Sequence, residues 1–344
     1  MRFLIEAHHP GDIHFWKYPI RELQNRGHTV LMVARDRDVM KRLVTAYDWI
    51  PHVIPRRRNN QNKFPLLEML SRQWAVAKHI RSFRPDIVCS LFGSYCQSAW
   101  LFRKPNYIFT DSEFQHFNHR IAHPFATEIH TPYCFYKPLG PKQRHYNGIH
   151  ELSFLDSRRF HPDASLLDTI PGFKPREYVL IRLSAWNTFH DINQEGIGAG
   201  VTAFIERFKD RYRIVISAEE NQLPEELRRY AMQFPPEDFH HILAFARFVL
   251  TEGASTASEA ACLGVPTVYI NSTEPRGYLC MLEKEYGLVQ NFREADKGIP
   301  AAISWLEQLD RDKLHALQSE RSRMINDHCD VCSHVVQVLE NGVR

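Results

Sequence analysis

The run Phe248-Val249-Leu250-Thr251-Glu252-Gly253-Ala254-Ser255-Thr256-Ala257-Ser258-Glu259 sets a glycine, four hydroxyls and two carboxylates behind a short apolar segment. Those residue types suit a nucleoside diphosphate. Gly253 and Ala254 let a ligand approach the backbone. A helix predicted to start near Ser255 would offer unpaired N–H groups and the positive end of its dipole to phosphate. Ser255, Thr256 and Ser258 add hydroxyl donors in its first turn. Glu259 lies four residues beyond Ser255, about 6 Å further along the axis on the same face, at the distance from a diphosphate to its ribose. Arg182, at the end of another predicted strand, is a candidate diphosphate partner. A plain strand–loop–helix unit with a serine cap uses the same residues without any ligand.

The first half carries a second group. His8-His9-Pro10-Gly11-Asp12-Ile13-His14 lies between a predicted strand and helix, where His14 is a candidate general base or substrate contact and Asp12 a helix cap. It contains no GxGxxG turn, which argues against a dinucleotide site. Thr110-Asp111-Ser112-Glu113 follows another predicted strand, and two carboxylates two residues apart can divide acid and base duties or cap the next helix. The basic stretch Arg56 to Lys63 reads as a solvated loop or as a contact for an anionic sugar or a phospholipid surface. His328-Cys329-Asp330-Val331-Cys332 with His334 has one CxxC-like pair and no second one, so no metal is expected there.

The elements that must position these groups alternate. Phe3 to Ile5, Val30 to Ala34, Ile87 to Cys89 and Tyr107 to Phe109 read as strands; Ile13 to Arg26, Leu66 to Phe83 and Tyr95 to Leu101 read as helices. The stretch Asp156 to Arg176, with prolines at 162, 171 and 175, reads as a linker. The rhythm then restarts at Tyr178 to Leu183, with a helix at Gly200 to Phe208, strands at Arg213 to Ser217, Phe248 to Leu250 and Thr267 to Ile270, and helices at 301–309, 312–325 and 331–339. Strand–helix alternation predicts parallel sheets covered on both faces. The expectation is therefore an α/β chain of two Rossmann-like doubly wound domains, residues 1–160 and 175–325, facing a central cleft, with residues 326–344 packing back on the first. At 344 residues two domains are the natural reading, and 44% hydrophobic with 24% charged residues leaves no room for long disordered tracts. A net charge of +3 does not suit a nucleic-acid binder. The opening MRFLIEAHHP turns polar too early for a signal peptide, no segment spans a membrane, and seven cysteines make no disulfide framework, so a cytoplasmic location is expected.

The 248–276 segment resembles the donor-nucleotide motif of the GT-B superfamily, which includes UDP-sugar glycosyltransferases and the non-hydrolysing UDP-N-acetylglucosamine 2-epimerases. That resemblance implies that Gly253, Ala254, Ser255 and Ser258 hold a diphosphate and Glu259 its ribose. Thr273-Glu274-Pro275-Arg276 resembles the epimerases' Thr-Glu-Arg-Pro stretch with its last two residues exchanged, which adds Glu274 and Arg276 to the nucleotide-sugar contacts. Leu23 to His28 resembles the Leu-x-x-Arg-Gly-His stretch of many GT-B transferases. The segment around Glu113 is similar to the one carrying a catalytic glutamate in the epimerases. Their second glutamate has no counterpart near Phe117 to Arg120, and their catalytic histidine none at Leu183-Ser184-Ala185-Trp186-Asn187. The opening EAHHPGDIHFWKYPIRELQNRGHTV is closest to an uncharacterised GT-B-like family.

These resemblances imply a UDP-sugar-dependent glycosyltransferase of polysaccharide or glycolipid assembly, with the sugar nucleotide as substrate and no metal or other cofactor. The acceptor would be a sugar or a lipid-linked molecule, with peripheral membrane contact and no nucleic-acid partner. Two alternatives stand beside it: a UDP-sugar 2-epimerase, hydrolysing or not, and a non-catalytic nucleotide-sugar-binding protein.

Overall fold

A computed structural model describes residues 1–36, 38–55, 65–93, 96–183, 197, 200–218 and 223–342. The basic stretch 56–63 and the segment 184–187 lie outside the described residues. The chain divides into two compact units: Met1–Phe154 with His328–Arg344, and Leu155–Asp327.

The first unit is built on seven parallel strands: β1 (Arg2–Ala7), β2 (Thr29–Ala34), β3 (His52–Val53), β4 (Ile87–Ser90), β5 (Asn106–Phe109), β6 (Glu128–Pro132) and β7 (Gln143–Tyr146). Their spatial order is β3-β2-β1-β4-β5-β6-β7, so the direction of winding reverses between β1 and β4. Phe3, Leu4 and Ile5 and the whole of β4 and β5 are buried, as strands covered on both faces must be. The covering helices are α1 (Pro10–Asn25), α2 (Asp38–Ala46), α3 (Pro65–Phe83), α4 (Cys96–Leu101) and α5 (His116–Ile121). Leu4, Val33, Val76, Ile80, Val88 and Ala99 form a core between the sheet, α3 and α4. Three strands of this unit are not legible in the sequence: β3 is only two residues long, and in β6 and β7 Glu-Ile-His-Thr-Pro and Gln-Arg-His-Tyr carry no apolar run.

Helix α1 starts at Pro10, three residues before the sequence reading placed it. Proline suits a first helical position, whose N–H has no helical acceptor anyway. The His9 ring accepts from Gly11 N at 3.2 Å, and the Asp12 carboxylate accepts from His8 N at 2.7 Å and His9 N at 3.1 Å.

The second unit opens with α6 (Ser165–Asp168) and then winds β8 (Tyr178–Arg182), α7 (Gly200–Phe208), β9 (Arg213–Ile216), α8 (Phe239–Ala244), β10 (Phe248–Thr251), α9 (Ala254–Cys262), β11 (Thr267–Ile270), α10 (Gly277–Lys284), β12 (Val289–Phe292), α11 (Ala295–Gln308) and α12 (Arg311–Asp327). Its five strands are parallel in the order β12-β11-β10-β8-β9, and the reversal lies between β8 and β10. Val179, Ile181, Phe204, Phe208, Phe248, Leu250 and Ile270 anchor its core. The stretch 156–176 is not a linker but belongs to this unit. Phe160 lies 4.8 Å from the His241 ring, Leu167 is buried, and Phe173 lies 4.7 Å from Tyr178. Its prolines interrupt helical periodicity without preventing burial of the apolar residues between them. Helix α11 likewise begins five residues before Pro300, rather than just after the proline where the sequence reading began it.

The last helix, α13 (Val331–Asn341), belongs to the first unit. There Glu340 pairs with Arg26 at 2.8 Å and His28 at 2.9 Å beside α1. Its first turn is built from the His328 to His334 stretch: Asp330 caps α13 by accepting from Ser333 N, and the His334 ring stacks 5.3 Å from Tyr146. Among the described residues no cluster of three His, Cys, Asp or Glu side chains could hold a metal ion. None of the described helices is long and apolar enough to cross a membrane.

Candidate functional site

Open parallel sheets bind ligands beyond the carboxyl ends of their strands, at the point where the winding reverses. Each unit gathers polar residues there.

In the second unit β8 ends in Arg182 and β10 in Thr251, which are register partners, and Glu252 N donates to Arg182 O at 3.0 Å. Gly253 N is taken up by Thr251 Oγ1 at 2.9 Å, which turns the chain into α9. The N-cap of α9 is Gly253, and no side chain caps it. That corrects the expected Ser255 cap: Ser255 is an exposed residue of the first turn. The N–H groups of Ala254, Ser255 and Thr256 therefore point outward with neither a helical acceptor nor a capping side chain. Gly253 has φ near −90°, and an added Cβ would meet only ordinary contacts at 3.5 Å or more, so the fold does not demand glycine here. What the missing side chain leaves is room in front of these N–H groups. Ser258 does not share that role. It is fully buried, and its hydroxyl donates back to Ser255 O at 3.0 Å and Ala254 O at 3.2 Å.

Glu259, one turn deeper, is nearly buried and lies 3.2 Å from Nε2 of His240 on α8. Arg182 acts on the same carboxylate, donates to Ser217 Oγ at 2.6 Å and lies over the Phe239 ring at 5.6 Å. His240, which precedes β10 on α8, is thus the partner of Glu259. Glu274 and Arg276 lie on the loop after β11, the first exposed and the second at the N-cap of α10. Asn271 ties that loop to the switch point by donating to Glu252 O at 3.0 Å.

In the first unit the equivalent position collects carboxylates from distant parts of the chain. Asp12 follows β1 and is almost fully buried. Burial pushes its carboxyl up to about 7, against the pull of the His8 and His9 N–H groups, and the charge of Asp111 pushes the same way. Asp111 follows β5, and its Oδ2 lies 3.3 Å from Nδ1 of His150. His150 is buried against Phe15, with ring centroids 4.7 Å apart; burial lowers its pKa and Asp111 opposes that. A neutral imidazole can meet a carboxylate only by donating, so Nδ1–H of His150 orients Asp111. Glu113 and Glu151 are both buried. The Cys134 thiol is pushed up by burial first, then by the charges of Glu113, Asp111 and Glu151. Tyr146 is likewise raised, by burial and then by Asp111, Cys134 and Glu151.

Two sequence expectations change here. His14 is not presented by the loop: it lies inside α1, where its ring stacks 5.7 Å from Phe154 and meets Tyr47 edge-on at 6.1 Å. Asp111 and Glu113 cap no helix, since the N-cap of α5 is Gln115 and has no side-chain cap bond. The sequence reading gave no part to His150 and Glu151. Their signal was a lone His-Glu pair after an unrecognised strand, and only the order β5-β6-β7 brings it beside Asp111.

The chain resembles solved structures along its whole length. The UDP-N-acetylglucosamine 2-epimerase from Rickettsia bellii superposes with a TM-score of 0.72 at 15% identity, covering 100% of this chain and 97% of that one. The UDP-GlcNAc 2-epimerase from Neisseria meningitidis, solved bound to UDP-GlcNAc, gives 0.66 at 11% identity, covering 100% and 99%. The glycotransferase of kitacinnamycin gives 0.63 at 13% identity, covering 100% and 99%. At these identities the likeness shows the fold, two Rossmann-like domains of the GT-B type. No curated protein matches the chain. Residues 3–333 match the family described as "Protein of unknown function (DUF354)", and the chain therefore belongs to that family.

Proposed function

We propose that this protein is a UDP-sugar-dependent glycosyltransferase of polysaccharide or glycolipid assembly, in which the second unit binds the nucleotide and the first supplies acid–base chemistry. The observation that carries the nucleotide reading is the bare N-terminus of α9, with Glu259 fixed by His240 one turn behind it. Unpaired N–H groups and the helix dipole suit a diphosphate. A carboxylate at that depth suits the two ribose hydroxyls. Arg182 and Arg276 would balance the charge of the leaving diphosphate, and Glu274, on the same loop as Arg276, would contact the sugar. The GT-B neighbours include a structure bound to UDP-GlcNAc, which supports the choice of nucleotide.

Transfer requires a base that takes the proton of an acceptor hydroxyl while its oxygen bonds to the anomeric carbon and the bond to the diphosphate breaks. Asp111 suits that role: its side chain is 18% exposed, and His150 holds its orientation. Asp12, ionising near 7 beside it, makes the pair sensitive to pH. A second reading is epimerisation of the UDP-sugar, favoured by Glu113 and Glu151, which add two buried carboxylates beyond what one proton transfer needs. Incubation with a panel of nucleotide-sugars, with and without a lipid extract, separates these. UDP released only with the extract supports transfer. UDP released without it, or a changed sugar configuration, replaces transfer by the second reading. UDP neither bound nor released removes both.

A further inference from the structure

On one face of the first unit's sheet, α3, α4, α5 and the turn His123–Phe125 pack side by side. Gln73 of α3 donates to Gln97 of α4 at 2.9 Å, Ser98 Oγ donates to Gln73 O at 3.1 Å, and Gln97 Nε2 donates to Ile121 O at 2.7 Å. These bonds pin the three helices together, and the core of Val76, Ile80, Val88 and Ala99 lies beneath them. Their outer side is not what a solvated helical layer usually presents. Trp74 is 78% exposed, Trp100 60%, Leu101 70% and Phe117 64%, and the Trp100 ring meets Phe125 edge-on at 5.4 Å. Large apolar residues exposed on three adjacent helices mark a contact surface rather than the scattered exposure of an ordinary one.

The charges around them choose the partner. From residue 73 to 127 the cations are Lys78, Arg81, Arg84, Arg103, Lys104 and Arg120. The only carboxylates in that stretch are Asp86, which accepts from Arg2 N, and Asp111 and Glu113 of the site described above. We propose that this face docks on an anionic lipid bilayer, with Trp74, Trp100, Leu101 and Phe117 entering the headgroup region and the cations meeting lipid phosphates. Tryptophan suits that depth because its ring is apolar while its N–H stays satisfied by water or headgroups. Basic side chains beside it add attraction to anionic lipid. A two-fold contact between copies of the chain would set this face against itself, bringing six cations against six, which disfavours self-association. With no described helix able to span a bilayer, the attachment is peripheral.

The test is co-sedimentation of the full chain with large vesicles of phosphatidylcholine alone or with about a third phosphatidylglycerol. Binding is expected to the anionic vesicles, at least tenfold weaker to the neutral ones, and to fall as salt is raised. The double variant Trp74→Ala/Trp100→Ala should lose at least tenfold in vesicle affinity, and Lys78→Glu/Arg103→Glu a similar factor, both with an unchanged melting temperature because all four side chains are on the surface. Retained binding by both variants overturns the proposal, and so does failure of the wild type to bind anionic vesicles. Sedimentation of the protein without lipid covers the remaining case: a dimer that the tryptophan variant dissolves would assign the face to self-association instead. None of these outcomes depends on the nucleotide reading.

Discussion

The two strand-end sites differ in how they are made. In the second unit the groups that face a ligand come from one continuous stretch, 251–276, with Arg182 and His240 added from neighbouring elements. In the first, Asp12, Asp111, Glu113, His150 and Glu151 come from three separate segments of the chain, and each carboxylate is buried or paired with another side chain. Under the proposed function the first design would bind, since it offers donors to an anion, and the second would react, since it gathers carboxylates and raises the proton affinity of Asp12. Damage to the second unit should therefore appear in affinity, and damage to the first in turnover.

The largest effect expected on that division is at Asp111. Asp111→Asn removes the proton acceptor and should lower turnover by about 10²–10⁴-fold while leaving UDP affinity within twofold. A large loss of UDP affinity in that variant would merge the two sites into one binding surface.

Asp12 tests the same unit through pH. Its folded pKa of about 7 lies above the ordinary carboxylate value of 3.8, so the folded chain keeps a proton that the unfolded chain releases. That contribution is complete below about pH 4 and is lost as pH rises to about 7, amounting to roughly 4 kcal/mol by its end. Denaturant titrations between pH 4 and 8 should show stability falling across that window, and Asp12→Asn should flatten the curve. Turnover of the wild type should rise through the same window as Asp12 ionises, and the variant should lose that step. A stability curve of the same slope in both proteins would mean that Asp12 is not held protonated.

Smaller effects sharpen the account of the second unit. Gly253→Ala fits the backbone, so melting should hardly change, whereas a methyl group in front of the α9 N–H groups should weaken UDP binding by about fivefold. His240→Gln, which loses the ring against Glu259, should weaken it by about threefold, with turnover on saturating donor unchanged. Equal affinity in both would mean that the N-terminus of α9 is an ordinary surface.

This contrast also explains what could be read from the sequence. The alternation of strands and helices gave the two sheets, because apolar runs such as Phe3 to Ile5 and Phe248 to Leu250 are local signals. The 253–259 turn was legible for the same reason, although its details were not. The serine-rich sequence pointed to Ser255 as cap and Ser258 as donor, yet a tight turn closed by Thr251 moved the cap to Gly253 and buried Ser258 against the helix's own carbonyls. The first unit's site was half legible. Asp111 and Glu113 follow a recognisable strand, but His150 and Glu151 follow β7, whose polar sequence conceals it. His14 is buried against Phe154 and Tyr47, contacts distant in sequence that no local pattern announces.

The central claim, nucleotide binding beside Glu259, is tested most directly by calorimetric titration of UDP into the wild type and Glu259→Gln, with a melting curve of each. The substitution keeps size but turns one acceptor into a donor and removes the charge from two hydrogen bonds, each worth about 1.5–3 kcal/mol. UDP should bind the wild type and bind the variant at least tenfold more weakly, with melting temperatures within a few degrees. Equal affinities, or no binding of UDP by the wild type, would contradict the account.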